Sequence, residues 1–166
     1  MVAGSLFALG LLGSTYSLFS VLLHRSGAVP RAVLIPIDPQ HYYLAQAIFV
    51  GPLFVLLAFV FTFVTRALAG DRSDVSLRRA FEALAPTYAW PLLVLFVLPD
   101  LVVFLAAGHA ALAPAMRYYA PLAPLAIIAF ATASARKLFG VGVLRAALAT
   151  TAALFAQALV GAPLLR

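Results

Sequence analysis

A charged side chain inside a long apolar run costs at least ~2.5–3.5 kcal/mol to isolate in hydrocarbon, so such a residue is the first place to look for chemistry. Of the five acids in this chain, only Asp100 qualifies. It follows Pro99 in an apolar stretch and lies roughly seven residues before the expected end of its span, ~10 Å inside by helix rise. An acid there suits a proton or cation relay, or a contact to a substrate amine. The competing reading is an Asp near the outer interface that accepts from Tyr118, Tyr119 or a backbone N–H.

No other set of residues points to a reaction. His24, His41 and His109 are expected at span ends with Asp38 nearby, but their spacing matches no metal motif. Haem would need axial histidines from inside the spans. The absence of cysteine excludes disulfides, thiolate metal sites and thiol catalysis. Thr65, Thr132, Ser134, Thr150 and Thr151 sit in no nucleophile elbow and read as interhelical hydrogen bonders. No phosphate-cradling glycine loop is present. The expectation is therefore no catalytic residue, no metal and no cofactor.

The elements that must position Asp100 follow from composition. Apolar residues make up 65% of the 166-residue chain and charged residues 10%, against ~45–50% and ~25% in soluble domains. The apolar residues come in runs that match the ~20 residues of a membrane-crossing helix. The expected fold is all-α, a single polytopic transmembrane helical bundle of about five spans. These are placed near 2–23, 44–68, 83–107, 117–135 and 143–159, with four spans the outcome if the last segment folds back. The first run, Val2 to Leu23, lacks a basic leader and a clean cleavage site, and is read as a retained span rather than a signal peptide.

Along the first span Gly10 and Ser14, and Gly13 and Ser17, are four apart, the small-residue spacing that lets helices approach closely in lipid. Ala149 and Ala153 in the last span carry the same expectation. Residues 24–41 form a loop punctuated by Pro30, Pro36 and Pro39, in which Ala32 to Ile37 is expected to lie on the interface. After Gly70, Ser73 is a plausible N-cap. Leu77, Phe81 and Leu84 then share one face, while Asp74, Arg78 and Glu82 form two i,i+4 pairs on another. This predicts one short interfacial amphipathic helix leading into a third span broken by Pro86, Pro91 and Pro99.

With five spans, one side carries Arg66, Arg72, Arg78, Arg79, Arg136, Lys137 and Arg145, and the other Arg25, Arg31, Arg117 and Arg166. The positive-inside rule then predicts N-in/C-out. The formal charge of +6 is spread between apolar runs without an aromatic-interleaved basic surface, so no nucleic acid is expected. Arg78, Arg79, Arg136 and Lys137 are positioned to meet anionic lipid head groups.

From Tyr43 onward the pattern resembles the bacterial branch of the Yip (Ypt-interacting protein) membrane-protein family. The residues that carry this are Gln46-Ala47 and Gly51-Pro52, the short Gly70-to-Ser76 turn, and the spacing of Phe81, Ala85, Tyr88 and Pro91. The resemblance implies a five-span, N-inside protein without catalytic residues, in a family whose members are membrane-embedded adaptors in vesicle traffic or, in bacteria, proteins of mostly unassigned role. Taken with the small-residue seams and tiny loops, the leading expectation is a non-enzymatic membrane scaffold or accessory subunit. It would pack against the lipid bilayer and other integral membrane proteins in a bacterial cytoplasmic (inner) membrane. The alternative is a small transporter or channel subunit in which Asp100 lines a pathway.

Overall fold

The computed structural model describes residues 2–30, 38–70 and 75–161. Its elements are α1 (Val2–Arg25), α2 (Tyr42–Ala69), α3 (Leu77–Leu92), a π-helical turn (Leu93–Val97) and α4 (Leu98–Ala107). They are followed by a 3-10 turn (His109–Ala111), α5 (Leu112–Tyr119), α6 (Leu122–Phe139) and α7 (Val143–Gly161). Among the described residues there is no strand. Five stretches are long and apolar enough to cross a membrane: Ala3–Arg25, Tyr42–Ala69, Leu77–Ala107, Leu122–Phe139 and Val143–Gly161. Helix α7 runs unbroken, which gives five spans rather than four.

The apolar surface is turned outward on a scale that water would not tolerate. Ile48 is 77% exposed and Leu144 73%, and in no span is more than 39% of the apolar window buried inside the protein. These side chains face lipid, and the protein is a multi-pass membrane bundle. Helix α2 is central and packs on α1, α3 and α7, while α6 bridges α3 and α7. The core between them mixes large residues, such as Leu57, Phe61 and Tyr88, with alanines at the helix crossings, among them Ala131, Ala146, Ala149 and Ala153.

Two glycines have a local explanation. A Cβ on Gly13 would lie 3.0 Å from the Gly51 Cα, so the α1 and α2 backbones touch where neither helix carries a side chain. Gly140 ends α6 in the left-handed region at φ 69°, with its N–H bonded to the Arg136 carbonyl, a cap that a side chain would strain.

Proline and hydroxyl groups are matched across helices. Pro86 has no N–H, which leaves the Glu82 carbonyl without its helical donor. The Ser5 hydroxyl of α1 donates to that carbonyl at 3.1 Å. Ser17 donates to the Ala47 carbonyl of α2 at 2.8 Å, next to the Ile48 carbonyl that Pro52 leaves without its helical donor. The Thr132 and Thr150 hydroxyls meet at 3.0 Å between α6 and α7, and Thr150 also reaches the Ala146 carbonyl of its own helix.

Three boundaries differ from the sequence expectation. The helix of the third span begins at Leu77, not near residue 83, and its N-cap is Ser76, whose Oγ accepts from the Arg79 N–H. Ser73, the expected cap, lies outside the described residues. The amphipathic stretch is therefore the first turns of α3, continuous with the span. The 31 residues of Leu77–Ala107 would extend ~46 Å as helix, against a ~30 Å hydrocarbon core, so those polar turns stand clear of the lipid. Arg78 and Glu82 pair there at 3.0 Å, whereas the Asp74 partner lies outside the described residues, as does Ala32 to Ile37. Finally, Arg117, Tyr118 and Tyr119 belong to the separate α5, and the fourth span starts at Leu122. Pro121 cannot supply the N–H that would continue α5, and the chain turns at Ala120 and Pro121 before helix resumes.

Candidate functional site

At the end of the bundle where α1 stops and α2 begins, the helices diverge around a cavity of about 700 Å³. Four span helices and the α5 segment contribute to its wall. Tyr16 and Phe19 come from α1, Phe54 from α2, Tyr88 from α3, Phe96 from the π turn and Met116 from α5. The aromatic wall is ordered by edge contacts, with Tyr16 and Phe54 centroids 5.6 Å apart at 78°. Phe19 meets Phe104 at 5.8 Å and 74°. Edge-to-face geometry sets the positive rim of one ring against the negative face of the next.

The third span is shaped by its prolines. In the π turn the Leu98 N–H bonds to the Leu93 carbonyl, five residues back. Pro91 and Pro99 flank this widened turn, each deleting one helical donor. Immediately after it, Asp100 is buried to 5% exposure and lines the cavity. The Tyr119 hydroxyl of α5 donates to Asp100 Oδ1. Tyr119 is the only hydrogen-bond partner of Asp100 among the described residues. Asp100 thus meets Tyr119, one of the tyrosines expected beside it, and stands on a cavity wall.

A string of buried polar groups runs beside the cavity. Ser20 Oγ donates to Gln46 Oε1 and Gln46 Nε2 donates to the Tyr16 hydroxyl, each at 3.4 Å. Gln157 of α7, also a residue of the cavity wall, has a buried Oε1 that has no hydrogen-bond partner among the described residues. Sequence reasoning passed over Tyr16, Ser20 and Gln157. Their signal was polarity at mid-helix, weak in residues that also serve as ordinary packing.

The histidines gather at the same end. The His24 and His41 rings are 6.3 Å apart, Asp38 Oδ2 contacts His41 Nδ1 at 2.9 Å, and His109 lines the cavity. Among the described residues no group of three or more His, Cys, Asp or Glu is placed to hold a metal.

The small-residue positions divide. Gly13 is buried against α2, and Ala149 and Ala153 are in the core. Gly10 and Ser14 face outward. With Gly13, Ser17, Ile48 and Gly51 they line a shallow groove between α1 and α2 on the bundle's outside. Arg78, Arg79, Arg136 and Lys137 are exposed together at the opposite end from the cavity, where α3 begins against the end of α6. Comparison with protein-family models, with curated proteins and with solved structures finds no match for this chain.

Proposed function

We propose that this membrane protein is a non-enzymatic binding subunit that holds a small, largely apolar molecule in the cavity between α1, α2, the third span and α5. It would serve a transport assembly in a bacterial cytoplasmic membrane. The observation that carries the reading is the cavity itself. Its volume of about 700 Å³ falls within the ~300–1,000 Å³ of small-molecule sites, and like them it is walled by aromatic and aliphatic groups with few polar ones. The N-in orientation expected from the basic residues puts the cavity in the outer half of the bilayer. A chain of this size would need neighbours to complete a pathway.

The test is equilibrium binding of naphthyl probes to the full chain in lipid nanodiscs, with empty nanodiscs as the blank. Saturable uptake near one probe per chain, lost in Ala113→Trp at the cavity wall, is the expected outcome. Uptake equal to the blank, or unchanged by the tryptophan, would refute the reading.

A second reading, the scaffold or accessory subunit, is favoured by the outward groove over Gly10 and Ser14. There another membrane helix would find backbone-deep access. Co-purification of a stoichiometric partner that is lost in Gly10→Leu would put this reading first.

A further inference from the structure

We infer that the occupant of the cavity is an organic amine, bound as its cation with the ammonium on Asp100 and its apolar body against the aromatic wall. This rests on the cavity being a binding site, and it names the class of molecule that fits.

The argument is one of unmatched acceptors. A carboxylate offers about four lone-pair sites, and Asp100 has one of them filled, by Tyr119. Gln157, another residue of the wall, has a buried Oε1 without a donor among the described residues. Among the described residues that line the cavity there is no lysine or arginine. The remaining ionisable lining groups are His109 and the phenols of Tyr16, Tyr43 and Tyr88, and the Tyr16 oxygen already accepts from Gln46. The site is therefore short of positive charge, although its phenols can donate. A buried acid without a counter-charge is costly, and a cation that brings N–H groups supplies the charge and a donor at once. Aromatic faces around the acid add a favourable surface for the same charge. An anionic ligand would meet Asp100 with repulsion, and a neutral hydrocarbon would leave the acceptors as they are.

Tyr119 is half-buried on α5, a helix with no buried residue, and its hydroxyl competes with an incoming ammonium for Oδ1. Removing the hydroxyl should increase the acid's demand for the ligand without disturbing the core.

The experiment compares three probes of one shape, 1-naphthylmethylamine, 1-naphthylmethanol and 1-naphthoate, on the full chain in nanodiscs of neutral lipid at pH 7. The amine should bind roughly tenfold or more tightly than the alcohol, the scale of one charge-assisted hydrogen bond, and the acid should bind least. Asp100→Asn should bring the amine and alcohol affinities together. Tyr119→Phe should widen the preference for the amine. Equal binding of amine and alcohol, a fall in amine preference in Tyr119→Phe, or tightest binding of the acid would overturn the inference and leave the apolar binding site standing. Absence of binding by all three would overturn both.

Discussion

Replacing Gly13 by alanine, and comparing it with the same change at Gly10 and Gly51, separates backbone contact from helix propensity. At Gly13 the new Cβ would lie 3.0 Å from the Gly51 Cα and 3.9 Å from its nitrogen, whereas at Gly10 and at Gly51 an added Cβ meets nothing within 4 Å. All three substitutions gain the same intrinsic helix preference, about 1 kcal/mol in water, so that contribution cancels in the comparison. What remains at Gly13 is overpacking. The helices must part by a few tenths of an ångström, and α1 and α2 have no hydrophobic drive in lipid to hold the looser seam. The expected deficit of Gly13→Ala relative to Gly10→Ala is about 1–3 kcal/mol, a drop of roughly 5- to 150-fold in the folded-to-unfolded ratio. Unfolding of the purified chain in mixed micelles by increasing dodecyl sulfate, followed by Trp90 emission and circular dichroism, reads it directly. The asymmetry is the sharper part, because Gly51→Ala, on the other side of the same contact, should behave like Gly10→Ala. Three variants within about 0.5 kcal/mol of one another, the limit of context effects, would refute the close approach.

Two further outcomes follow from the hydrogen bonds. Ser5→Ala should cost about 0.6–1.7 kcal/mol in the same assay, and the cost should vanish when Pro86→Ala restores an N–H to the Glu82 carbonyl; a double-mutant cycle without coupling would show that Ser5 and Pro86 are unrelated. At the loop before α2, the Gln40 N–H and then His41 hold the exposed Asp38 carboxyl below its ordinary value. A depressed acid contributes its stabilisation above the unfolded value, about 3.9, and loses it as pH falls through the lower folded value. Carbon-13 titration of the Asp38 carboxyl should therefore give a midpoint under the ordinary one, and a midpoint at or above it would refute the turn.

The bundle was legible because lipid imposes one rule on every backbone group, and long apolar runs can meet it only as helices. Its boundaries were less so. Hydropathy locates where a helix leaves hydrocarbon, not where it stops, which is why the charged turns of α3 around Arg78 and Glu82 look like a separate element. Tyr118 and Tyr119 look like the interfacial start of a span, yet Pro121 assigns them to α5. Asp100 stood out because a lone acid among apolar residues is costly. The cavity beside it had no such mark, since its wall is made of side chains that fill a core elsewhere in the same helices: Tyr88 lines the cavity and also stacks on the buried Phe61.

The widened turn in the third span has a consequence for aim. In a regular helix, advancing about 100° per residue, the twelve steps from Tyr88 to Asp100 would leave the two side chains about 120° apart. A π turn absorbs one residue with almost no rotation, and the separation closes to about 20°, so the phenol and the acid look into the same space. The chain thus carries one residue more than a straight helix would need, placed where the surplus changes length but not direction. Loss of a residue between Tyr88 and Leu92, or between Leu98 and Asp100, would swing the acid about 100° away from the phenol, whereas loss of one between Leu93 and Val97 would return the helix to its regular pitch with one residue fewer between them, leaving the two about 20° apart as now.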